Sequence, residues 1–168
     1  MLRQRPDVDG DRIGVIGTSM GGNTTIYGIP DCQPIRAALL VQPTHLGVFM
    51  ANFARRELGP LGRAIARVST PLFHLVGAPP LSAHDLVAAA RRLGDTVVRY
   101  VQGIGDPWGT VEDVKAMAGE PPRCKSVCLY PSTDRYGGYL YLETDSAQVV
   151  SFFAQHLMKA RGGDPGAV

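Results

Sequence analysis

Apolar and polar residues follow one another in blocks along this chain, and the blocks carry two different periods. Short runs that are apolar almost throughout fall at Arg12 to Ile16 ("RIGVI"), Ile35 to Val41 ("IRAALLV"), Pro71 to Val76 ("PLFHLV"), Thr96 to Val101 ("TVVRYV") and Lys125 to Tyr130 ("KSVCLY"). Runs of this length, bounded by glycine or proline, predict strands buried on both faces. Helical patterns lie between them. Met20 to Tyr27 is a short helix stopped by "GIPDCQP". Thr44 to Arg67 places Leu46, Phe49, Met50, Phe53 and Leu58 mostly at helical spacing, with Gly59-Pro60 as a break. Ser82 to Leu93 opens on a serine cap and an early Asp85, and closes on Arg91 and Arg92 before Gly94, the charge order that suits a helix dipole. Val111 to Ala118 is a further short helix, and Ser146 to Lys159 an amphipathic one with Val149, Val150, Phe153 and Leu157 on one face. Strands alternating with helices predict an α/β fold: a parallel sheet of about five strands with helices on both faces. A single domain over residues 1–161 is expected, with "GGDPGAV" (162–168) as a flexible tail.

Composition narrows the function classes. The chain has 168 residues, 45% hydrophobic and 19% charged, with a net charge of +2. No lysine and arginine stripe is interleaved with aromatics, so no nucleic-acid partner is expected. The apolar runs are too short to cross a bilayer and the first dozen residues hold no signal-peptide core, so no membrane partner and a cytoplasmic location are expected. Cys32, Cys124 and Cys128 are an odd set. They suggest neither a disulfide framework nor a zinc site, and no metal is expected.

The candidate chemistry lies in "GVIGTSMGG", residues 14–22, where Ser19 stands between Gly17 and Gly21 after a strand and before a helix. A turn that tight needs small flanking residues, lifts the hydroxyl above the sheet end and aims the Met20 N–H where an oxyanion would form. The stretch has two other readings. A dinucleotide loop needs G-x-G-x-x-G and an acid about twenty residues later; the glycines do not fit that spacing and Asp31 comes too early. A glycine-rich turn with an incidental serine is the plain structural alternative.

The stretch "DVDGDRIGVIGTSMGG" (7–22) resembles the nucleophile turn of the α/β-hydrolase superfamily, in its esterase, dienelactone-hydrolase and acyl-peptidase branches. "STPLFHLVGA" looks like the strand that often follows the cap region, and "SAQVVSFFAQHL" like the closing helix. The resemblance covers most of this chain but only the C-terminal half of the family pattern, which implies a truncated α/β-hydrolase fold. It implies a serine-dependent hydrolase of small carboxylic esters, thioesters or amides, without a cofactor. Ser19 would be the nucleophile and the Met20 N–H one oxyanion donor.

In that superfamily an acid and then a histidine follow the serine, each in a loop after a later strand. If "PLFHLV" is the acid-bearing strand, the acid slot reads Ala78-Pro79-Pro80. If "TVVRYV" is, the slot holds Asp106, and the next loop, "PSTDRYGGY", precedes the closing helix directly. The second register is preferred, and it puts Arg135 or Tyr136 where the histidine would stand. His45 and Trp108 are placed to line a pocket; His74 reads as a core or interface residue, His84 as solvated and His156 as surface. Arginine stays protonated and cannot accept the serine proton, so a salt bridge from Arg135 to Asp106 or Asp134 is expected instead, with weak hydrolysis or none. The alternative function is a non-catalytic hydrolase relative acting as a binding or assembly module. The first strand would then be a bare sheet edge, covered by a second copy or a partner chain.

Overall fold

The computed structural model describes residues 2–32, 34–44, 46–62, 64–65, 68, 83–119 and 124–158. Among the described residues the sheet has four strands, β1 (Gly14–Thr18), β2 (Ala37–Val41), β3 (Val97–Gly103) and β4 (Lys125–Tyr130), all parallel and in the order β1-β2-β3-β4. The segment "PLFHLV", expected as a further strand, and the expected tail lie outside the described residues. Helices among the described residues include α1 (Met20–Gly28), α2 (Leu46–Glu57), α3 (Ala83–Arg91), α4 (Val111–Ala118), α5 (Arg135–Tyr139), α6 (Tyr141–Thr144) and α7 (Ser146–Leu157).

β2 is buried at every position, which is why its sequence is an unbroken apolar run. Alternation of side chains divides it between two cores. Ala38 and Leu40 join Val98 and Tyr100 beneath Ile26 of α1, Leu86 and Ala90 of α3, and Val114 and Met117 of α4. Ala37, Leu39 and Val41 face the other way with Val101, against Tyr141 of α6 and Phe152 of α7. Gly14 lets α7 approach β1: a Cβ there would lie 2.7 Å from Phe153 Cε1 and 2.8 Å from Cδ1.

Several boundaries differ from the sequence expectation. β1 starts two residues late and runs through Gly17 and Thr18, because Ile16 to Thr18 pair with Leu39 to Val41. α2 ends at Glu57, ahead of Gly59 at φ 56°. The loop "PSTDRYGGYLYLETD" is not a loop throughout, since α5 and α6 occupy it. Asp134 caps α5 by accepting the Gly137 N–H at 2.7 Å, which offsets the poor helix propensity of Gly137 and Gly138. His156 is half-buried rather than a surface residue, its ring 5.0 Å from that of Phe152. His45 and His74 lie outside the described residues, and so does the side chain of His84. No described helix is long and apolar enough to cross a membrane.

Candidate functional site

All four strands point their C-terminal ends the same way, and the site forms there, as it does in open parallel sheets generally. The ladder runs one residue past β1 and one past β2: the Ser19 N–H donates to Val41 O at 2.9 Å and the Gln42 N–H to Val101 O at 2.7 Å. Both residues then turn through a left-handed conformation, Ser19 at φ 51° and Gln42 at φ 50°. Neither is glycine, so both backbones are strained. Gly17 makes the first turn possible, because a Cβ there would sit 2.7 Å from Gly21 O and 2.8 Å from Gly22 Cα. Ser19 is half-buried and stands as the N-cap of α1 without a side-chain bond to the helix. Met20 is the first helical residue, so its N–H is one of the amides that find no partner inside the helix; its side chain is exposed.

Asp106 follows β3 and Arg135 follows β4. Arg135 is 3% exposed, and its guanidinium reaches across the strand ends to four acceptors. Nη1 donates to Asp106 Oδ2 at 2.6 Å and to Thr44 Oγ1 at 3.1 Å. Nη2 donates to Ser19 Oγ at 2.8 Å and to Gln42 O at 3.1 Å. The rings of Phe49 and Tyr139 lie 5.5 and 5.7 Å from its Cζ, within cation–π range. The ion pair expected from the sequence is thus formed with Asp106, while Asp134 caps α5. Tyr136 does not join this cluster: it is 72% exposed, with its ring against Tyr139. Successive helical residues point about 100° apart, so when Arg135 faces inward its neighbour cannot.

The Asp106 carboxylate has no exposed surface. Besides Arg135 it accepts the Trp108 N–H on Oδ1 at 2.9 Å and Gln102 Nε2 on Oδ2 at 3.3 Å. Trp108 packs its ring against Phe49, 5.3 Å away and edge-on, and against Phe53 at 6.3 Å; Asn52 of α2 donates to its carbonyl at 3.2 Å. So Trp108 closes the aspartate loop from above. His45, the other expected pocket residue, lies outside the described residues.

Three participants escaped sequence reasoning: Gln42, Thr44 and Gln102. The available signal was a polar residue directly after each of two buried apolar runs, "AALLVQ" and "VVRYVQ". A groove of about 530 Å³ runs alongside, lined by Ile104, Tyr130, Pro131, Ser132, Thr133, Gly137 and Leu140. It includes neither Ser19 nor Arg135. Among the described residues no group of three histidine, cysteine or carboxylate side chains is placed to hold a metal ion.

Chemically, the arrangement gives Ser19 Oγ a guanidinium as neighbour. A guanidinium donates to the hydroxyl oxygen and accepts nothing from it. The Asp106 carboxylate pairs with the same guanidinium.

No protein-family profile matches the sequence, and no curated protein does. Solved structures do. An esterase of Pyrococcus furiosus superposes with a TM-score of 0.64 at 16% identity, over 94% of this chain and 58% of that one. An acylaminoacyl peptidase of Pyrococcus horikoshii gives 0.64 at 15% identity, over 97% of this chain and 27% of that one. An α/β-hydrolase of a Penicillium species gives 0.60 at 17% identity, over 94% and 68%. The chain spans 58% of the length of the first of these. With a parallel sheet of the same build carrying the serine turn and the two loops that meet it, the chain has the α/β-hydrolase fold.

Proposed function

We propose that this chain is a non-hydrolytic α/β-hydrolase-fold protein, in which the serine of the nucleophile turn is held as a hydrogen-bond acceptor rather than activated. The observation that carries the reading is the pair of bonds from one guanidinium, to Ser19 Oγ at 2.8 Å and to Asp106 Oδ2 at 2.6 Å. Acyl transfer from Ser19 needs a group that takes the hydroxyl proton as the oxygen attacks. Arg135 donates to that hydroxyl instead, and a guanidinium has no acceptor for its proton. Ser19 as nucleophile, the Met20 N–H as oxyanion donor and Asp106 as acid are thus an inherited frame without its base.

The test is covalent. An activated serine attacks the phosphorus of a fluorophosphonate probe and displaces fluoride, so prolonged incubation followed by peptide mass mapping is expected to leave the Ser19 peptide unmodified. A phosphonylated Ser19 would overturn the reading and return the chain to the serine acyl hydrolases.

An assembly role is favoured by the other end of the sheet order. Among the described residues β1 pairs on one side only, with β2, and Ile16 on it is 48% exposed. An edge strand without proline, lysine or a bulge invites pairing. The β1 edge is therefore proposed to take a strand from another polypeptide, a second copy being the simplest. Light scattering on a sizing column tests this; a monomer at high concentration counts against it.

A further inference from the structure

Gln42 is an anomaly in its surroundings. It ends a strand whose five residues are all apolar, it is 0% exposed, and its backbone sits at φ 50°. A buried carboxamide carries a desolvation cost that only hydrogen bonds offset, and a leucine would fill comparable space without that cost. The Gln42 Oε1 has no hydrogen-bond partner in the structure, so the carboxamide is not retained for its acceptor. What it supplies is its donor: Nε2 donates to the backbone carbonyl of Arg135 at 2.6 Å. Its own backbone carbonyl accepts from the other end of the same residue, Arg135 Nη2, at 3.1 Å.

The space for that carboxamide is made by two glycines on different elements. A Cβ on Gly138 of α5 would lie 2.5 Å from Gln42 Cδ and 2.8 Å from Nε2. A Cβ on Gly103, at the end of β3, would lie 2.8 Å from Oε1. Strain at residue 42, clearance at 103 and 138, and two hydrogen bonds all converge on Gln42, and both bonds go to the residue that holds Ser19 Oγ.

We infer that Gln42 is the positioning residue of the Ser19–Arg135–Asp106 assembly, gripping Arg135 by its carbonyl and its guanidinium together. The physical need is plain. An arginine side chain has many rotamers to lose. Fixing its backbone end and its head from one rigid strand terminus leaves a single path between them. The inference rests on the reading that Arg135 holds the serine, and deepens it by saying what holds Arg135.

A thiol in place of the serine oxygen reports on the guanidinium, because a cation at hydrogen-bond distance lowers the pH at which a thiol ionises. The experiment follows alkylation of the Ser19→Cys protein by iodoacetamide against pH, peptide by peptide, with the exposed Cys124 as reference in the same chain. The introduced thiol is expected to titrate about one pH unit or more below Cys124. Adding Gln42→Ala is expected to move its midpoint back up by a comparable amount. Adding Gly138→Ala instead should do the same, because it displaces the carboxamide without altering residue 42. Alanine is also the better helix former, so this variant carries the comparison if Gln42→Ala does not fold. A midpoint unmoved in the folded double variants, even with a lowered melting temperature, would show Gln42 to be structural only and overturn the inference. An introduced thiol that titrates no lower than Cys124 would overturn the prior reading that Arg135 engages residue 19, and the inference with it.

Discussion

Arg135 and Asp106 meet as a buried ion pair, Nη1 to Oδ2 at 2.6 Å, with 4% and 0% of their side chains exposed. Such a pair adds little net stability against an apolar replacement, yet removing one partner strands the other and costs about 3–5 kcal/mol. Arg135→Met and Asp106→Leu are each expected to lower the unfolding free energy by about that much. The double variant should lose clearly less than the sum, by about 2 kcal/mol or more. Urea denaturation of the four proteins measures the coupling; additivity would mean that the charges do not act on each other. Added salt is expected to leave the wild-type midpoint unaffected by this pair, since water-borne ions do not reach it.

Ser19 at φ 51° and ψ −119° is strained for any residue with a side chain. Ser19→Ala and Ser19→Gly both remove the bond to Arg135, but only glycine relieves the backbone. Ser19→Gly is therefore expected to be more stable than Ser19→Ala by about 1 kcal/mol, the strain relieved exceeding glycine's larger unfolded-state entropy. The order reverses the usual one for these two residues, so a calorimetric scan of both settles it.

Gly14 is expected to tolerate no side chain. Gly14→Ala drives a methyl into the Phe153 ring and lies 3.1 Å from Leu157 Cδ1, at a cost of about 1–3 kcal/mol. Adding Phe153→Leu should recover part of that loss, and a thermal-shift comparison of the single and double variants shows whether it does.

The three thiols are expected to differ in reactivity. Cys32 and Cys124 are exposed, whereas Cys128 is partly covered, and burial raises its pKa above the ordinary thiol value. Near pH 8 a disulfide reagent should modify the first two quickly and Cys128 last, with the gap narrowing as the pH rises. The same shift has a stability sign. A thiol that ionises later in the folded state contributes stability present below its unfolded pKa and lost as the pH climbs through the folded one. Cys128→Ser should therefore soften the alkaline fall in melting temperature.

Much of the architecture was legible because buried parallel strands write themselves as apolar runs. β2, β3 and β4 were placed within two residues, and the loop order after them was enough to bring Asp106 and Arg135 to one point. The choice between Arg135 and Tyr136 was not legible, because it depends on α5. That single turn of helix is held by the Asp134 cap against the preference of two glycines. Gln42 was invisible for a different reason. A left-handed backbone angle in a residue other than glycine leaves no trace in composition, and its partners come from residue 101 and residue 135, far along the chain.

The four acceptors around the guanidinium limit what position 135 can hold. Thr44 Oγ1, Asp106 Oδ2, Ser19 Oγ and Gln42 O each take one bond, so together they use every hydrogen on the two terminal nitrogens. A histidine substituted at position 135 would offer at most two donors on a much shorter arm, so at least two of these four bonds would go unmade. Only arginine carries that many donors on one planar head, so the cluster as built is matched to that residue at position 135.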